Sequence, residues 1–169
     1  MGPAELETLL SSVHDESGQP QRDAGQTGEE PMKFPPAVNK SKVGTYPALT
    51  KAGGGYVWDE VLEYRVWCHP EDGTDDYFYA FATFEEAAEL SRHTKGAEEP
   101  LALILQKEYI DEPSPGEYRH IRRKRTTEWP VEFLARSKRH KRTIPDFLSR
   151  NAPANRLDII RGKAKSVGD

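Results

Sequence analysis

Tyr77-Phe78-Tyr79-Ala80-Phe81-Ala82 runs directly into Thr83-Phe84-Glu85-Glu86-Ala87-Ala88-Glu89-Leu90-Ser91-Arg92-His93-Thr94, and a short polar link leads on to Leu101-Ala102-Leu103-Ile104-Leu105. An aromatic run, an amphipathic segment and an apolar run in this order predict strand, helix, strand. Thr83 and Glu86 have the spacing of a capping box, in which the Thr83 hydroxyl accepts from the Glu86 amide and the Glu86 carboxylate returns to the Thr83 amide. Phe84, Ala87, Ala88 and Ser91 share one stripe with Leu90 beside it, and Glu85, Glu86, Glu89 and Arg92 face water. His93 and Lys95 suit the negative end of the helix, and Gly96 is its expected stop.

Working outward, Val61 to His69 alternates as a strand does: Leu62, Tyr64, Val66 and Cys68 on one side, Val61, Glu63, Arg65, Trp67 and His69 on the other. Pro70 to Asp76 reads as the turn of a hairpin into the Tyr77–Ala82 strand, with Asp72-Gly73 its tightest point. On the other flank, Leu101 to Tyr109 reads as one strand, Asp111 to Gly116 as a turn, and Tyr118 to Thr127 as a polar edge strand. Trp129 to Ala135 predicts a short helix with Pro130 in its first turn. The expected order is β-β-α-β-β with a short C-terminal helix, an α+β two-layer sandwich. If the Tyr77–Ala82 and Leu101–Tyr109 strands are neighbours they run parallel, with the helix crossing over one face.

Composition sets the limits of this domain. The chain has 169 residues, 36% of them hydrophobic, and a mean hydropathy of -0.80, so not all of it is expected to pack. Residues 1–42 read as a disordered arm with one weakly helical patch at Ala4 to Val13, and Met32 is an alternative start. Residues 43–148 are the single folded domain. Residues 149–169 read as a polar, largely flexible tail with one or two helical turns at Asn155 to Gly162. Gly53-Gly54-Gly55 precedes a strand rather than opening a helix, so it reads as a flexible joint and not as a phosphate cradle.

The charge is divided unevenly. Residues 1–112 carry 22 acidic and 9 basic side chains, and residues 113–169 carry 6 and 15, an acidic body with a basic C-terminal third. One cysteine, Cys68, excludes an internal disulfide framework and a cysteine-based zinc site. No apolar run approaches the ~20 residues of a membrane span, and cytoplasmic residence without membrane insertion is expected.

Several chemistries find no support. Cys68 and His69 are consecutive on a strand and diverge, so they cannot act as nucleophile and base. His69, Glu71, Asp72, Asp75 and Asp76 lack the calcium-loop pattern, and the scattered histidines show no metal-ligand spacing. Tyr56, Trp58 and Trp67 read as packing residues. The basic segment is the most specific cue: Arg122, Arg123, Lys124, Arg125, Trp129 and Arg139 are the expected contacts of an anionic partner. Clustered cations neutralise phosphate or carboxylate charge, and a nearby aromatic offers a stacking surface. Neutralisation of the chain's own acidic helix and turn, or plain solvation, is the alternative use of the same charges.

Tyr56 to His69, Tyr77 to Thr83 and Thr127-Glu128-Trp129-Pro130 together resemble a group of small bacterial, chiefly proteobacterial, proteins, some labelled GNAT-type acetyltransferases, over roughly Lys42 to Arg161. The resemblance implies an acyltransferase using acetyl-CoA. The motif R/Q-x-x-G-x-G/A that binds the acetyl-CoA pyrophosphate in that family has no match in Thr83-Phe84-Glu85-Glu86, so no residue carries over as a ligand. The expectation is thus a non-enzymatic interaction or regulatory domain that needs no cofactor and binds an acidic protein or nucleic acid, with a divergent acetyltransferase as the alternative.

Overall fold

The computed structural model describes residues 33–165. The Ala4 to Val13 patch, Met32 and the last four residues lie outside them. The main sheet has five strands: β1 (Lys51–Ala52), β2 (Glu60–Cys68), β3 (Tyr77–Phe81), β4 (Leu101–Gln106) and β7 (Arg125–Pro130), in the spatial order β1-β7-β4-β2-β3. A separate hairpin joins β5 (Tyr109–Ser114) to β6 (Glu117–Ile121). The helices are α1 (Phe84–His93), α2 (Thr143–Leu148) and α3 (Arg156–Ile160). The class is the expected α+β.

β2 pairs antiparallel with β3 on one side and with β4 on the other. β3 and β4 therefore run parallel, as expected, but are separated by β2, and α1 carries the chain across it. Tyr64 on β2 meets Phe84 of α1, with ring centroids 6.1 Å apart, and Ala87, Ala88 and Leu90 are the buried face of the helix. The Glu86 amide donates to the Thr83 hydroxyl at 3.3 Å; the return bond of the capping box is absent among the described residues.

The opposite face of β2 departs from the single-buried-face expectation: Glu63 and Arg65 are fully buried. The chain before β1 covers them. All five N–H donors of Arg65 are used, on Glu63, Glu128 and the carbonyls of Tyr46, Pro47 and Ala48. Glu63 also accepts from the Gly44 amide, and Glu128 from the Trp67 indole. A buried charge survives only when paired and hydrogen-bonded, and this set is saturated.

The C-terminal half of the reading needs revision. The expected Leu101–Tyr109 strand ends at Gln106, whose amide turns inward to the carbonyls of Gly54 and Val57, while the Asp59 carboxylate accepts from the Lys107 amide at 2.6 Å and fixes the break. The expected turn at Asp111 to Gly116 is mostly β5, with only Pro115-Gly116 turning the chain. The expected edge strand Tyr118 to Thr127 splits into β6 and β7, and β7 lies inside the sheet between β4 and β1. Trp129 and Pro130 close β7; the helical turn that follows is a 3-10 turn at Val131–Ala135.

Packing also extends past both expected domain boundaries. Ala37 is buried and its amide donates to Ala82, and Phe34 stacks edge-on against Phe84. In the expected tail, Ile160 of α3 is buried with Tyr56, Val57, Ile110, Ile144 and Phe147 in a second core. The Gly53-Gly54-Gly55 segment is no free joint. Gly55 is buried, and a Cβ there would overlap the Gln106 side chain; only glycine permits that approach at φ 84.

Candidate functional site

The six expected contacts separate into two groups. Arg122, Arg123 and Lys124 are exposed in the loop between β6 and β7, and none of the three forms an ion pair among the described residues. The other three are built into the fold. Arg125 donates to the Gln106 side chain at 2.6 Å and lies over the Tyr109 ring at 3.7 Å. Trp129 is fully buried and its indole donates to the Gly54 carbonyl at 3.1 Å. Arg139 is held by Asp59 at 2.8 Å and Glu108 at 3.1 Å. The stacking role expected of Trp129 and the partner role expected of Arg139 are therefore corrected: one offers no surface, and the other is neutralised internally.

The loop borders a groove of 570 Å³ lined by Val38, Lys42, Tyr46, Leu62, Leu105 and Lys124, with Asn39, Glu60 and Thr126. Its floor is apolar because a register shift between Val61 and Glu63 inserts Leu62 into β2, and Leu62 packs with Leu105 and Leu103 against Tyr46. Lys42 ends a short 3-10 turn whose first amides are satisfied by Asn39, which accepts from the Ser41 amide at 3.1 Å. Lys42 and Lys124 thus add two cations to the groove, against one carboxylate, Glu60. Burial, and then the charges of Glu63 and Glu60, push the Tyr46 phenol above its usual range, so it stays a protonated donor. Lys42 and Tyr46 carry no sequence signal of this role because the groove draws on four separated segments, which no local pattern connects.

Other reactive-looking groups resolve into structure. Cys68 is buried and its thiol is pushed up by burial. His69 lies on the rim between Asp76 at 2.8 Å and Glu98 at 2.7 Å. The first turn of α1 presents Glu85 and Glu86, and negative charge there disfavours an anionic ligand. Comparison with family models, with curated proteins and with solved structures gave no match. Among the described residues no helix is long and apolar enough to cross a membrane.

Proposed function

We propose that this protein is a non-enzymatic cytosolic interaction module that binds an acidic polypeptide segment at the Arg122-Arg123-Lys124 loop and the adjoining groove. The observation behind this reading is three consecutive exposed cations, none ion-paired among the described residues, beside an apolar groove that carries two lysines. An extended acidic segment with an apolar residue would place carboxylates on the loop and its apolar side chain on Leu62 and Leu105. Burial of Trp129 removes the stacking platform on which binding to single-stranded nucleic acid relied, which favours protein over nucleic acid.

The test uses the full chain and a fluorescein-labelled oligoglutamate peptide containing one leucine. Replacing Arg122, Arg123 and Lys124 together by Ser is expected to weaken binding about tenfold, since three exposed contacts at a few tenths of a kcal/mol or more each sum to roughly 1.4 kcal/mol. Arg125 is left intact because it supports Gln106. Unchanged affinity in the triple variant would show that the surface is wrong. Tighter binding of a single-stranded oligonucleotide of equal charge would move the partner to nucleic acid, and saturable binding of acetyl-CoA at micromolar concentration would replace the reading by the acyltransferase one.

A further inference from the structure

A second cationic feature lies away from the loop, where two guanidiniums approach the same aromatic ring. Arg136 follows the 3-10 turn and Arg161 follows α3; each guanidinium lies 5.7 Å from the centroid of the Tyr56 ring. Arg136 is further enclosed by Phe133 at 4.0 Å and Trp129 at 5.0 Å. Neither arginine is ion-paired among the described residues, and the Arg136 side chain donates no hydrogen bond to them. Glu112 accepts from the Gly116 amide at 3.1 Å and from the Tyr56 hydroxyl at 2.7 Å, and these bonds, with the charge of Arg161, hold it below its usual range. Arg156 stands beyond, over Tyr118 and Phe147, donating to the Phe147 carbonyl.

The backbone enforces this juxtaposition. Gly162, at φ 75, packs so closely that a Cβ there would overlap the Ala135 carbonyl, which sets Arg161 next to Arg136. The Arg136 carbonyl is held by the Trp58 indole at 2.9 Å. Tyr56 itself is at φ 63, the one non-glycine residue in the left-handed region among the described residues, a conformation that costs of order 1 kcal/mol and clusters at functional positions. Burial, followed by the charge of Arg161, pulls the Arg136 guanidinium below its usual range. Like charges held together in a half-buried, aromatic-walled position are destabilising by themselves, and an oxyanion offsets them with charge-assisted, bidentate hydrogen bonds.

We infer that Arg136 and Arg161, beside the Tyr56 ring, form a binding site for the oxyanion group of a small ligand, a phosphate or a carboxylate. The site is separate from the Arg122–Lys124 loop. Trp129 and Trp58 adjoin Arg136, so intrinsic tryptophan fluorescence reports on it. The full chain is titrated with inorganic phosphate and, in parallel, with succinate, at constant ionic strength maintained with sodium chloride. A saturable fluorescence change with one of the two is expected and identifies the oxyanion class. Arg161→Gln should raise the midpoint about tenfold, and the Arg122, Arg123, Lys124 triple Ser variant should leave it unchanged. Arg136→Gln is read only together with its thermal unfolding midpoint, because its loss also removes aromatic packing; Arg161→Gln carries the decision. No saturable change with either anion, or one that Arg161→Gln leaves intact, overturns the inference. A change lost in the loop variant but kept in Arg161→Gln assigns the anion to the loop and overturns it as well.

Discussion

Arg65 shows how a residue that reads as solvent-facing becomes the most constrained cation in the fold. Its guanidinium links β2 to β7 through Glu128 and clamps the chain at Tyr46 to Ala48 by three carbonyls. Removing it leaves Glu63 buried and unpaired, so Arg65→Met is expected to cost ~3–5 kcal/mol in urea unfolding, whereas Arg122→Ser changes stability by less than about 0.5 kcal/mol. Gly53 and Gly55 give a second contrast. Both have positive φ, but a Cβ at Gly53 meets open space and at Gly55 it meets Gln106 and Arg125. Gly53→Ala should cost about 1 kcal/mol from backbone strain alone, and Gly55→Ala clearly more, as compared by thermal unfolding. His69 is a third case. Hydrogen bonds to Glu98, then to Asp76, raise its pKa, so whatever stability it contributes is complete below about pH 6.5 and disappears as pH rises through the raised folded value. A proton NMR titration of the His69 ring is expected to show a midpoint above that of an unfolded control peptide; a midpoint at or below the control would contradict the bridging geometry.

At the scale of elements, α1 was legible because its signals are local. Thr83 caps the helix in extended conformation and the Glu86 amide finds its hydroxyl; Thr83→Ala should cost ~1 kcal/mol by urea unfolding. The β2–β3 hairpin was legible for the same reason, since alternation and an Asp-Gly turn lie within twenty residues. The β5–β6 hairpin was not. Asp111-Glu112-Pro113-Ser114 has turn composition, yet Asp111 pairs with Arg119 and Ser114 with Glu117, because a short exposed hairpin tolerates residues that a central strand excludes. β7 is concealed for the opposite reason. Its polar residues Thr127 and Glu128 suggest an edge, but Thr127 donates to Gln106 and Glu128 accepts from Arg65 and Trp67 inside the fold. Trp129 and Thr127 alternate with period two, a signal of a shared buried face hidden by the cations before them.

The whole molecule explains why the basic third of the sequence is less available than its composition suggests. Arg125 and Arg139 are spent on Gln106, Asp59 and Glu108, partners up to eighty positions away that no sequence pattern announces. α3 closes the second core: Ile160→Ala should cost ~2–4 kcal/mol in urea unfolding, a loss that a detached tail would not show. The surface proposed for a partner is the loop Arg122 to Lys124 and the groove bordered by Lys42 and Lys124. The salt dependence of oligoglutamate binding by the full chain tests that surface most directly. The dissociation constant should rise several-fold between about 50 and 200 mM sodium chloride, as screening shortens the reach of exposed charges, with a flatter dependence in the Arg122, Arg123, Lys124 triple Ser variant. An affinity indifferent to salt, or equally salt-dependent in both proteins, would contradict recognition by these three cations.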